Sequence, residues 1–174
     1  MTSPPLQHFY DLGDLSAAGA EIVVSAKPAD LPLLAKWAGV DAVERFEGRV
    51  ELRKLSAHRF SYDATLAADI IQSCVVTLEP VRAHLERDFS RTLHLSQTPR
   101  RSAEPEPAWS PADDEGPEEI ESLRYDLAAP LLEEFVLAID PYPRGPGVAF
   151  EAPALGPEPA ESPFAVLKSL KKPG

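Results

Sequence analysis

A single cysteine, Cys74, in 174 residues leaves no partner for an intramolecular disulfide and no set of thiolates for a zinc site. Met1 is followed by Thr2-Ser3-Pro4-Pro5, with neither a basic n-region nor an apolar h-region, so no signal peptide is read here. No apolar run approaches the roughly 20 residues that span a bilayer. Together these absences set a reducing, cytoplasmic location as the expectation, with no membrane partner. A glycine-rich phosphate loop, a metal-ligand spacing and a recognisable nucleophile triad are also missing. The expectation is a protein that is not an enzyme, with no cofactor, no metal and no small-molecule substrate.

Proline and acid are what the chain has in quantity. Nineteen prolines are too many for regular structure, because each lacks an N–H and restricts the residue before it. The net charge of −11 is concentrated: residues 96–140 carry 12 of the 28 acids and only three bases. Such a balance makes a poor general binder of phosphate backbones, where affinity rests on Lys and Arg displacing counterions.

Periodicity organises the remainder. Gly19–Ala26 is β-branched at Ile22, Val23 and Val24 and reads as a strand. Pro28–Ala38 reads as a short helix capped by Asp30 and stopped by Gly39. From Ala42 the period becomes two. Phe46, Gly48, Val50 and Leu52 alternate with charged residues, and Phe60 to Ile70 and Val81 to Leu95 alternate with mostly polar or charged ones, which predicts three long antiparallel strands with one wet face. Arg87 and Arg91 fall on the apolar side of the third strand, where they either snorkel at the edge or meet a buried carboxylate. Leu55–His58 is the turn between the first two strands.

Ser96–Glu119 breaks this pattern with five prolines and two acidic clusters, and is predicted to be a mobile loop. Its Trp109 is either a docking anchor or a loose contact with its own domain. Leu131–Ile139 reads as an amphipathic helix ended by Asp140–Gly147, and Phe164–Leu170 as a final short helix. The predicted architecture is α+β: an antiparallel meander sheet or partly closed β-barrel with a few flanking helices. Residues 1–95 and 120–172 form a single domain interrupted by an acidic, proline-rich flexible loop at 96–119.

Two segments carry more than composition. Gln72–Val81 reads QSCVVTLEPV, and Leu132–Gly147 reads LEEFVLAIDPYPRGPG. In this order and spacing they resemble the YceD-like family, named for large ribosomal RNA subunit accumulation, in its alphaproteobacterial form. The resemblance implies a ribosome-biogenesis role in the synthesis, processing or accumulation of 23S rRNA. It implies no established catalytic residues. Many members have a second cysteine three positions after the first; here that position is Thr77, so the metal site suspected for them is not supported in this chain.

Within these motifs Cys74 reads as a buried structural thiol, and Glu79-Pro80 as the turn or bulge that redirects the chain into the next strand. Asp140, Pro141 and Gly147 shape a proline-fixed loop. Tyr142 and Arg144 in that loop either form a contact site or pack back on the sheet and cap the preceding helix. Arg45, Arg49, Arg53 and Arg59 either track an RNA backbone or pair with interleaved Glu47 and Glu51. The leading expectation is binding to ribosomal RNA or a large-subunit assembly intermediate. The alternative is a protein-interaction adaptor that contacts a ribosomal protein or RNA-processing enzyme.

Overall fold

The computed structural model describes residues 4–96 and 117–149. The acidic stretch 97–116, with Trp109, and the predicted helix at 164–170 lie outside them. Strand β1 (Phe9–Asp11) enters a 3-10 turn at Leu12–Asp14, where the Asp11 carboxylate accepts from the Gly13 N–H at 2.8 Å. Then follow β2 (Ala20–Ser25), α1 (Leu31–Ala38), β3 (Ala42–Lys54), β4 (Arg59–Ser73), β5 (Pro80–Leu95), β6 (Glu118–Ile120), β7 (Arg124–Asp126) and α2 (Ala128–Ala138).

The alternation in the long strands sorts side chains as a period of two requires. Phe46, Val50 and Leu52 of β3 and Phe60, Tyr62, Leu66 and Ile70 of β4 are buried, while the charged residues between them face out. Between Val43 and Arg45 a bulge shifts the register, and the buried positions step by three there before alternation resumes.

The main sheet has the order β2-β3-β4-β5-β6, and β1 and β7 form a separate two-stranded ladder. Strands β2 to β5 form the expected antiparallel meander; the barrel alternative is not formed, and one strand breaks the antiparallel pattern. The sheet is open, with β2 and β6 at opposite edges, and β6 joins β5 in parallel. A parallel neighbour needs a long crossover, which the 22 residues between Leu95 and Glu118 supply.

The helices differ from expectation at their starts. Asp30 takes the N-cap position of α1 as expected, but its carboxylate accepts from the Lys27 N–H at 3.1 Å and makes no capping bond to the helix. Gly39 does stop it, at φ 72°, with its N–H on the Ala35 carbonyl. Helix α2 starts at Ala128, three residues before the expected Leu131, and takes Pro130 into its first turn.

Both helices cover one face of the sheet. Phe135 of α2 meets Phe46 edge-on at 5.3 Å, and Leu131 fills the space over Gly48, which has no side chain to oppose it. The Tyr62 hydroxyl donates to the Leu127 carbonyl at 2.8 Å, fastening β4 to the start of α2. Arg91 resolves its misplaced parity by pairing. It reaches Glu133 at 2.7 Å, Glu118 at 3.4 Å and Glu134 at 3.6 Å, joining β5, β6 and α2. Burial works against its charge, but these carboxylates hold its pKa above the ordinary value. Arg87, on the same side, is exposed.

Candidate functional site

The two signature segments, separated by 50 residues in sequence, meet at one end of the main sheet. Cys74–Glu79 is the hairpin loop between β4 and β5, and Pro80 opens β5 opposite Ser73. The Cys74 N–H donates to the Glu79 carbonyl at 2.8 Å, and the Leu78 N–H to the Cys74 carbonyl at 2.9 Å. Closing so tight a loop puts Leu78 at φ 61°, the one positive φ outside glycine among the described residues. The Asp140–Gly147 loop leaves α2 alongside. Val75 donates its N–H to the Pro143 carbonyl at 2.9 Å, and Gln72 donates its side-chain amide to the Asp140 carbonyl at 2.9 Å. Gln72 is the sole buried polar residue in the described core, and its amide is used on this join.

Cys74 sits in the seam. No part of it is accessible, yet its cover is the two loops rather than the core, so burial does little to oppose ionisation. The Thr77 side chain, followed by the backbone N–H groups of Gly145, Thr77 and Val76, lowers its pKa from 9.0 to about 6. Donors surround this sulfur where a metal would require further ligands. Thr77 and Gly145 therefore hold the thiol directly, and the residues present do not fit a zinc site. Among the described residues no group of three His, Cys, Asp or Glu could hold a metal.

A pH dependence follows. Between about 6 and 9 the unfolded chain binds a proton at Cys74 that the folded chain does not, so stability rises with pH across that window. The contribution is lost as pH falls through the folded value. Denaturant melts at stepped pH are expected to show this rise in the wild type and a flatter profile in Cys74→Ala.

Outward, the loops present apolar surface. Leu78 is 77% exposed, Tyr142 70% and Val75 46%. Tyr142 does not pack back on the sheet; its N–H donates to the Asp140 carboxylate at 2.8 Å, which turns the loop. Arg144 is exposed and caps no helix, since α2 ends at Ala138 with Ile139 donating its backbone N–H to Val136. Asp140 and Pro141 are exposed at the loop's start, and Gly147 takes φ 76° at its end.

The arginines lie elsewhere. Arg45, Arg49, Arg53 and Arg59 share the uncovered sheet face, but Arg53 and Arg59 flank the Leu55–His58 turn, roughly 45 Å along the strand from the two-loop end. Arg45 pairs with Glu47, Arg49 with Glu21 and Arg53 with Glu51, at 3.1, 3.4 and 3.1 Å. Arg82 pairs with Glu44 at 3.2 Å. Glu21, Glu44, Glu47, Glu51, Asp63, Asp69, Glu86 and Asp88 outnumber the five arginines on this face. Glu21, Glu51 and Asp63 stand in one cross-strand row, beside a shallow hollow of about 430 Å³ that Asp88 also lines.

The fold is thus an α+β scaffold whose two interlocked loops stand at one sheet end. The chain belongs to the YceD family, whose profile, described as large ribosomal RNA subunit accumulation protein YceD, matches residues 62–171. That match takes in both loops. No curated protein and no solved structure matches the chain. No described helix is long and apolar enough to cross a membrane.

Proposed function

We propose that this chain supports large ribosomal RNA accumulation as a non-enzymatic adaptor, engaging a basic protein of the assembling large subunit rather than gripping RNA phosphates. The observation that carries this reading is the composition of the uncovered sheet face. Surface ion pairs are weak, about 0–1 kcal/mol each, so pairing alone would not keep an arginine from a phosphate. The sign of the field would. With carboxylates in excess and three of them in one row, a polyanion meets net repulsion along the strands.

The test is a comparison of substrates. The purified chain is expected to co-sediment with large-subunit precursor particles and to leave protein-free 23S rRNA unbound at low salt. Retention of protein-free rRNA, with affinity falling steeply as salt rises, would establish phosphate binding instead.

A further inference from the structure

We infer that the surface built by Val75, Leu78 and Tyr142 is a docking site for a Lys- or Arg-rich protein segment that carries an apolar or aromatic anchor. This rests on the adaptor reading and assigns it a place and a partner chemistry.

The argument begins with Leu78. A left-handed backbone is unfavourable for an L-residue with a Cβ, and glycine or asparagine takes that position more readily. A leucine could offset the cost by burying its side chain, yet Leu78 is 77% exposed. The fold of the isolated chain therefore gains little from this side chain. Val75 adds exposed apolar area from the same loop and Tyr142 from the other side of the join, the two loops being held together by the Val75 to Pro143 and Gln72 to Asp140 hydrogen bonds. Three apolar side chains on rigid, interlocked loops form a preorganised contact, and tyrosine is enriched among residues that dominate interfaces.

The charge around them selects the partner. Asp41, Glu79 and Asp140 are exposed at this end, Asp41 held beside the loops by the Ser73 hydroxyl at 2.7 Å. Arg82 and Glu44 lie together at 3.2 Å and cancel in the sum, and Arg144 is the cation within the two loops. A basic segment meets this rim with favourable long-range attraction, whereas an RNA strand does not.

A photo-crosslinking residue replacing Tyr142 tests the assignment, with one replacing Arg59 as the distant control. The probes are an RNA-free large-subunit ribosomal-protein fraction, protein-free 23S rRNA, and the chain alone. Expected are crosslinks from position 142 to basic proteins of the fraction, mapping to Lys- or Arg-rich peptides with an apolar residue, and few from position 59. Leu78→Gly is expected to lower capture of the same proteins at least tenfold while leaving the thermal midpoint unchanged or higher, because glycine relieves the backbone. Unaltered capture by Leu78→Gly, equal crosslinking from position 59, or crosslinking only to a second copy of the chain would overturn the site and leave the adaptor reading standing. Crosslinking only to rRNA would overturn both.

Discussion

Replacing Phe135 with alanine is expected to lower stability by about 3–5 kcal/mol, the range for removing a fully buried phenylalanine. Phe135 is inaccessible and meets Phe46 of β3 edge-on, so the substitution removes both its burial and a ring contact. Neighbouring Leu131 and Leu132 are themselves buried in the close-packed core, which limits how far the gap can fill. For a chain of this length the loss corresponds to a fall in melting temperature on the order of 10 °C. The consequence reaches the site, because the Asp140–Gly147 loop is positioned by the end of α2. Melts followed by circular dichroism check the magnitude, and a change under about 1 kcal/mol would mean that α2 is not docked as described.

Gly48→Val is expected to be comparably damaging for the opposite reason. A Cβ at position 48 would lie 2.6 Å from one Leu131 methyl carbon and closer still to the other, far inside any tolerated contact. Overpacking of this kind costs typically 1–3 kcal/mol, and valine's two further methyls place it at about 3. Because the obstacle is the Leu131 side chain, Leu131→Ala in the Gly48→Val background should recover part of the loss. Strict additivity of the two substitutions in a double-mutant cycle would show that they do not meet.

How much of this could be read beforehand depends on period length. Strands β3, β4 and β5 run 13 to 16 residues, long enough for alternation to fix their buried faces and the Leu55–His58 turn. β1, β6 and β7 have three residues each, too few to show a period, and Glu118-Glu119 looks by composition like the end of an acidic loop. Its parallel pairing with β5 depends on where a long connection lands, which local sequence does not encode. Arg91 announced itself by parity, but which carboxylates it meets depends on α2 and β6 packing together. The two signature motifs were visible singly; that Gln72 and Val75 bind the Asp140–Pro143 backbone is tertiary. Leu78 carried no local signal beyond lying in the turn before Glu79-Pro80, and its left-handed backbone is set by loop closure.

The electrostatic outcome followed from register. Arg45, Arg49, Arg53 and Arg59 do share one face, as alternation required, but the strands beside them bring in Glu21, Asp63, Asp69, Glu86 and Asp88. Cross-strand neighbours decide the sign of a sheet face, and they are known only once the strand order is.

The central claim is that contact is made by the two interlocked loops and not by the arginine-bearing face. Titrating large-subunit precursor particles with wild type, Leu78→Gly/Tyr142→Ala and Arg45→Gln/Arg49→Gln/Arg53→Gln tests it most directly. At least tenfold weaker association is expected for the loop variant and wild-type association for the arginine variant. Loss of association in the arginine variant, with the loop variant unchanged, would contradict it.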